Sequence, residues 1–309
     1  MNIVIVGQGA IGLLWYTHLC QIAQSSSHSI SLYCSRNHDS NIKDVQFNTL
    51  TKQTVLTPIN IASSASIRLA DVILLCVKSY QVQQAMAEIV AHTTNGAKVI
   101  LCHNGMGTLS DIPKSVTEHH PIFAMLITHG CYREAPFRVV HTGAGKTDLG
   151  LLSGQTSEQE ISDLTAIFDA ALPTVNWQKD IVNGQWLKLA INCVINPLTA
   201  LYDIDNGEVI NGCYQEDIEN ILTEVVRVAK NSQITLSLNQ LLETVKLVAK
   251  NTAQNSSSMR CDVAAKRPTE IDYINGYIHQ LGKQQNIATP INTLLWQQIK
   301  QREADYQTP

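Results

Sequence analysis

Lys188, Asn192 and Asn196 recur at every fourth position in the run Trp186-Leu187-Lys188-Leu189-Ala190-Ile191-Asn192-Cys193-Val194-Ile195-Asn196-Pro197, where every other residue is apolar. On an α-helix such residues project from one face, successive members turned by about 40°. A solvent-facing stripe is normally wider and richer in charge. Buried amides and an ammonium need partners, and a bound acid would supply them. A narrow exposed face, or amides that cap nearby backbone, would fit the same spacing. Set against a ketone, the lysine could stabilise an oxygen on which negative charge grows and then protonate it. Pro197 is expected to end or kink the helix one step past Asn196, leaving free carbonyls near the stripe.

Gly7-Gln8-Gly9-Ala10-Ile11-Gly12 has the form G-x-G-x-x-G, between the apolar run 3–6 and a helical stretch at 10–24. In that context Gly7 permits a tight turn, Gly9 lets backbone approach a pyrophosphate, and Gly12 lets the helix pack closely. The first helical N–H groups then face the anion. NAD sites usually place an acid at the end of the second strand to bind the ribose hydroxyls. Here that strand reads Ser31-Leu32-Tyr33-Cys34-Ser35-Arg36 and carries no acid. The Arg36 guanidinium suits a 2′-phosphate instead, which points to NADP.

Two further segments could carry chemistry. Asn104-Gly105-Met106-Gly107-Thr108 follows a predicted strand, where open α/β sheets bind ligands. Thr269-Glu270-Ile271-Asp272-Tyr273-Ile274-Asn275-Gly276 reads as an N-cap with two first-turn acids, which taken alone are helix stabilisers. Gly145-Lys146-Thr147 imitates the end of a P-loop, but position 140 holds Val where that motif needs glycine. The histidines, His119-His120 included, show no metal spacing and no nucleophile partner. The 8 cysteines form no C-x-x-C pair, so a structural zinc has no support.

The elements that must position these residues change character along the chain. Residues 3–6, 29–34, 72–77 and 98–102 are short apolar runs that predict buried strands; a helix at 10–24 joins the first two, as in a parallel sheet covered on both faces. Residues 45–61 suggest a hairpin or excursion. Residues 121–128, 137–141 and 147–151 suggest further strands, the last two a hairpin around Gly143-Ala144-Gly145. A helix at 158–171 and a strand at 174–177 follow. Beyond about residue 180 the patterns are helical: 182–202, 213–231, 239–251, 270–285 and 291–305. Strands first and helices afterwards predict domains at 1–179 and 180–309.

With 309 residues, 44% hydrophobic and 16% charged, the composition suits a globular enzyme with a large core. A net charge of −4 argues against general affinity for nucleic acid or anionic membrane. The N-terminus runs straight into a strand with no export signal, and no apolar run approaches the ~20 residues that span a bilayer, so a cytoplasmic protein is expected.

In combination, the glycine loop, His103-Asn104-Gly105-Met106-Gly107-Thr108, residues 188–198, Asn206-Gly207-Glu208, Ser257-Ser258-Met259 and residues 269–276 resemble the ketopantoate reductase family over essentially the whole chain. The resemblance implies an α/β chain: an N-terminal Rossmann-type doubly wound sheet followed by an all-helical domain of the 6-phosphogluconate-dehydrogenase type, with the active site between them. It implies NADPH as reductant, a small 2-keto acid as substrate, and reduction of the 2-keto group of ketopantoate to (R)-pantoate in pantothenate biosynthesis. Lys188 takes the family's catalytic lysine position, and Glu270 that of the acid at the cofactor–substrate junction. Asn192, Asn196, Asn206 and Ser258 fall on substrate-contacting positions with Asn255 close by, and Asn104 on the residue near nicotinamide and substrate. On the cofactor side the resemblance assigns residues Gly7, Gln8, Gly9, Ala10, Ile11 and Gly12. Lys78 and Arg36 match contacts to the adenosine phosphate side, and Cys131 a position where backbone meets the cofactor. A monomer or homodimer is expected. A β-hydroxyacid dehydrogenase and a catalytically silent NADP-sensing module are the alternative readings.

Overall fold

The computed structural model describes residues 1–34 and 41–306, so Arg36 lies outside the described residues. The chain divides into two compact units, Met1–His103 with Ser110–Val182, and Asn104–Leu109 with Asn183–Pro309. The sequence placed residues 104–109 with the sheet; the structure groups them with the helices, to which Asn104 and Met106 are hydrogen-bonded.

In the first unit the chain runs β1 (Asn2–Val6), α1 (Ala10–Ala23), β2 (Ser29–Tyr33), β3 (Asp44–Asn48), β4 (Thr54–Pro58), α2 (Ser64–Arg68), β5 (Val72–Leu75) and α3 (Val82–Glu88). It continues through β6 (Lys98–Leu101), α4 (Lys114–Thr117), β7 (Ile122–Ile127), β8 (Gly130–Ala135), β9 (Arg138–Gly143), β10 (Thr147–Ser153), α5 (Glu158–Ala171) and β11 (Val175–Trp177). A 7-stranded sheet has the order β11-β10-β7-β6-β5-β1-β2. From β2 to β7 the neighbours are parallel; β10 lies antiparallel to β7 and parallel to β11. The order reverses at β1, with β2 on one side and β5 on the other, and the carboxyl ends at such a switch point are where open sheets bind ligands.

Burial explains the parallel arrangement. Ile3, Val4, Ile5 and Val6 of β1 and all of β5 are buried, as strands covered on both faces must be. On one face α1 packs Trp15 edge-on against Phe168 of α5, centroids 5.2 Å apart. Ser157 caps α5 in a reciprocal box with Glu160, fixing where that cover begins.

The excursion expected at 45–61 is a hairpin, β3 against β4, in a second, 4-stranded sheet of order β4-β3-β9-β8. The hairpin expected around residues 143–145 does not form. Strand β9 pairs with β8 and β3, and β10 leaves for the larger sheet, where β7 and β11 take it up. The true partner of β9 was hidden because β8, half of it exposed, has no buried apolar alternation and is held by backbone pairing.

The second unit contains α6 (Ile181–Tyr202, from its third residue onward), α7 (Gln215–Asn231), α8 (Leu238–Asn251), α9 (Ser258–Ala264), α10 (Asn275–Gln284) and α11 (Pro290–Asp305). Helix α7 buries Ile218, Ile221, Leu222, Val225, Val228 and Ala229, and α8 buries Leu241, Val245 and Ala249, the spacing of one helical face. As expected for the helix at 182–202, α6 runs past Pro197 to Tyr202. One expectation is corrected. The helix predicted from residue 270 starts at Asn275, after a 3-10 turn over Ile271–Tyr273, so Glu270 is not a first-turn acid.

Among the described residues, no helix is long and apolar enough to cross a membrane.

Candidate active site

The glycine loop leaves β1 at the switch point. Gly7 has φ +110°, and a Cβ there would come within 2.6 Å of the Cys76 carbonyl at the end of β5. Gly12 sits against the Gly7 carbonyl with no room for a side chain. These two glycines are therefore demanded by the protein's own packing. Gly9 is not: the nearest atom to a Cβ there is 3.9 Å away, an ordinary contact. Space is left at the one glycine where the motif brings a pyrophosphate close. Gly9 is also the N-cap of α1; no side chain caps that end and no acid lies in its first turn, so the N–H groups of the Ala10–Ile11 turn keep their affinity for an anion. The cradle fits a dinucleotide.

Lys78 stands two residues beyond Cys76, half-buried, opening a 3-10 turn whose Gln81 side chain accepts its backbone N–H at 3.2 Å. Strand β8 touches the loop twice. The Cys131 thiol donates to the Ala10 carbonyl at 3.6 Å, and burial pushes its pKa up to about 12, so it is a proton-bearing packing group and not a nucleophile. Arg133 donates from Nη1 to the Gln8 carbonyl at 3.2 Å. That cation at the phosphate loop was not legible in the sequence, because β8 has no apolar alternation to reveal the strand that delivers it.

In the helical unit, Lys188 and Asn192 are half-buried and Asn196 is buried along α6, amid Leu189, Ala190, Cys193, Val194, Ile195 and Leu198 in the core. The Asn192 Nδ2 is buried with no hydrogen-bond partner. Asn206 opens a 3-10 turn over Asn206–Ile210 and is anchored by its backbone N–H to the Asn255 carbonyl at 3.0 Å. Its side-chain Nδ2 donates to Thr252 Oγ1 at 3.0 Å, while its Oδ1 is buried with no partner. The amide orientation follows from the neighbour: Thr252 Oγ1 spends its proton on the Val248 carbonyl at 2.8 Å and can only accept from Asn206. The open atom of Asn206 is therefore an acceptor.

Asn255 has an exposed side chain and acts on Asn206 through its carbonyl. Ser258 is the exposed first residue of α9; its neighbour Ser257 is the buried N-cap, with Oγ taking the Arg260 N–H at 3.1 Å and lying 2.7 Å from Thr199 Oγ1 of α6. Arg260 in turn binds Asp203 at 2.8 Å and Asp205, the capping residue before Asn206. These bonds tie α6, the Asn206 turn and the start of α9 into one frame.

Glu270 is 4% exposed. Its carboxylate accepts from Asn104 twice, from the backbone N at 3.4 Å and from Nδ2 at 3.3 Å. The next peptide is fixed by Met106 N–H donating to the Tyr273 carbonyl at 2.8 Å, an approach open only because Gly105, at φ +83°, has no Cβ to strike that carbonyl. Two residues far apart in sequence are thus joined. Sequence reasoning passed over Asn275, which is fully buried and donates from Nδ2 to the Cys193 carbonyl of α6 at 3.0 Å. The clue was Pro197: it removes the N–H that Cys193, four residues earlier, would otherwise accept. Among the described residues, no group of three or more His, Cys, Asp or Glu side chains could hold a metal ion.

Comparisons with known proteins bear on the family and the fold. A 2-dehydropantoate 2-reductase of Vibrio cholerae serotype O1 is 36% identical over 309 residues, 99% of each chain. The crystal structure of a PanE/ApbA family ketopantoate reductase from Ralstonia eutropha JMP134 superposes with a TM-score of 0.88 at 23% identity, covering 99% of this chain and 100% of that one. So does a D-mandelate dehydrogenase solved with NADH and anilino(oxo)acetate, TM-score 0.88 at 23% identity over 100% of both chains. At that identity the two structures speak for the fold alone. The family model described as ketopantoate reductase PanE/ApbA matches residues 3–154, and its C-terminal counterpart matches residues 180–303. The chain belongs to the ketopantoate reductase family.

Proposed function

We propose that this protein reduces the C2 ketone of ketopantoate to (R)-pantoate with NADPH. The observation that carries the reading is a pair of buried amide atoms without protein partners, the donor Asn192 Nδ2 and the acceptor Asn206 Oδ1. Each costs about 1–3 kcal/mol while unsatisfied. A ligand that presents both an anionic oxygen and a hydroxyl removes both costs, and ketopantoate has a carboxylate and a primary alcohol. A keto acid without the alcohol leaves the Asn206 acceptor bare.

Residues 7–12 hold the cofactor's pyrophosphate, Lys78, Arg36 and Arg133 its phosphate charges. When bound, the nicotinamide supplies the hydride. Asn192 donates to the substrate carboxylate, Asn196 and Ser258 complete the grip on the acid, and Asn206 accepts from the alcohol. Lys188 stabilises the C2 oxygen as negative charge develops and then gives up the proton that makes the new hydroxyl. Glu270, held by Asn104, orients the reacting end.

The test is a spectrophotometric assay of nicotinamide oxidation with purified protein, NADPH and, in turn, ketopantoate and 2-ketoisovalerate, with 3-hydroxyisobutyrate and NADP in the reverse sense. Ketopantoate should be preferred over 2-ketoisovalerate by at least about tenfold in kcat/KM, since a site built to bond a hydroxyl rejects the analogue that lacks it. Equal rates on both keto acids would remove the role given to Asn206. Turnover of 3-hydroxyisobutyrate alone would replace the reading by a β-hydroxyacid dehydrogenase, and binding of NADPH without any turnover would replace it by a sensor.

A further inference from the structure

Helix α6 carries the lysine and the two amides, and Pro197 interrupts its hydrogen-bond ladder directly after Asn196. The missing N–H strands the carbonyl of Cys193, the neighbour of Asn192, in a core where Cys193, Val194 and Ile195 are at most 4% exposed. The Asn275 side chain fills that gap. Its Nδ2 donates to the Cys193 carbonyl at 3.0 Å and to Asn292 Oδ1 at 3.0 Å, and two acceptors on one nitrogen fix the orientation of the amide.

The Asn275 Oδ1 is buried without a partner, but behind its Nδ2 stands a continuous chain of bonds. Asn292, fully buried on α11, donates from its own Nδ2 to Glu224 Oε2 at 2.8 Å and to the Ile221 carbonyl at 3.2 Å. Glu224 on α7 is 5% exposed, and its two oxygens take the backbone N–H groups of Ile291 and Asn292 at 2.8 and 2.9 Å, capping the first turn of α11 with a charge. The rigid end of this relay is a capped helix, and its other end is the broken turn of α6. Asn275 also lies five residues beyond Glu270, joined to it through the Ile271–Tyr273 turn. One short segment thus presents Glu270 to Asn104 and grips α6 at the level of the amide stripe.

We infer that Asn275 is a positioning residue: it replaces the backbone donor that Pro197 removes and so sets the direction in which Asn192 and Asn196 present their amides to the substrate. It touches neither substrate nor cofactor. The inference rests on the keto-acid reading of the Lys188–Asn196 stripe, and its measurable content is a coupling between positions 275 and 197.

Asn275→Ala leaves the Cys193 carbonyl without a donor, so kcat/KM for ketopantoate should fall at least about tenfold, mostly through KM, with the Kd for NADPH changed less than about twofold. In a Pro197→Ala background, residue 197 has an N–H that can take the Cys193 carbonyl. There, Asn275→Ala should change the ketopantoate KM less than about threefold. The same penalty in both backgrounds, or an unchanged KM in the single variant, overturns the inference. If Asn275→Ala does not yield folded protein, P197A/N275A decides: recovery of a folded, keto-acid-binding enzyme supports the role, and no recovery refutes it. Wild-type turnover tests the ketopantoate reading separately. Should the wild type prove inactive on keto acids, the same four proteins are compared by thermal midpoint, where equal losses in the two backgrounds defeat the coupling.

Discussion

In the first unit, the proposed anion site is concentrated in six consecutive residues. Gly7, Gly9 and Gly12 shape one turn, and the helix that follows presents its backbone N–H groups without help from any side chain. In the second unit the groups proposed to bind the acid come from separate places: Lys188, Asn192 and Asn196 on α6, Asn206 on a 3-10 turn, Ser258 at the start of α9, and Glu270 before α10. Two of them are held by partners distant in sequence, Asn206 by Asn255 and Thr252, Glu270 by Asn104. A backbone site tolerates changes in most side chains but no added Cβ at its tight glycines. A side-chain site is the reverse, sensitive at each contributor and at the residues that brace it.

The largest effect should come from the stripe. Lys188→Ala is expected to lower kcat/KM for ketopantoate at least about 100-fold, the low end of what a general acid contributes, with NADPH affinity retained. Steady-state kinetics beside a fluorescence titration of NADPH would read both numbers, and an unchanged kcat/KM would take Lys188 out of the chemistry. Next is selectivity. Asn206→Leu removes the buried acceptor, so the preference for ketopantoate over 2-ketoisovalerate should shrink by about tenfold or more. A variant that loses activity on both acids equally would show Asn206 to be a brace and not a reader of the alcohol.

Smaller effects should separate the cations of the first unit. Arg36→Ala should raise the KM for NADPH much more than that for NADH, because only NADPH carries a 2′-phosphate. Arg133 stands at the Gln8 carbonyl, on the pyrophosphate loop common to both cofactors. Arg133→Ala should therefore weaken NADPH and NADH by the same factor, about three- to tenfold for one exposed charge-assisted contact. A loss confined to NADPH at position 133 would move Arg133 to the 2′-phosphate.

The difference between the two regions also decides what was legible in the sequence. The glycine loop and its flanking strands are local patterns, and the i, i+4, i+8 stripe announces its own helix. Strand β8 was missed because exposed edge pairing leaves no apolar period, and with it went Arg133. Asn104 and Glu270 are 166 residues apart, and no spacing rule connects them; the structure brings them together. Asn275 was passed over because its purpose depends on a proline in another helix. Glu270 was read as a helix-terminus acid since the pattern of Thr269–Asp272 imitates a capped first turn. A 3-10 turn intervenes, and the carboxylate accepts from Asn104.

The least intrusive way to sharpen the comparison is to lower the pH. The first unit gathers half-buried His18 of α1 with buried His129 before β8 and His141 of β9, the His129 and His18 ring centroids lying 5.5 and 6.2 Å from that of His141, beside Phe47. The geometry fixes a neutral ring at His129, whose Nδ1 accepts the Gly145 N–H at 3.2 Å, while His141 Nε2 donates to the Gly143 carbonyl at 3.1 Å. Burial, reinforced by the neighbouring histidines, lowers the pKa of His18 and of His129 from 6.5 to about 4. The unfolded chain therefore binds more protons than the folded one between those values, and stability must fall as pH drops from about 6.5 to about 4, then level off. The carboxylate Glu160, lowered from 4.5 to about 2 chiefly by Lys98, contributes stability that is lost only further down, as pH falls through that lower range. Melting curves at half-unit pH steps would resolve the two windows. His129→Gln should flatten the first and leave the second intact, and a variant as acid-sensitive as the wild type between pH 6.5 and 4 would show that the histidine cluster does not set that loss.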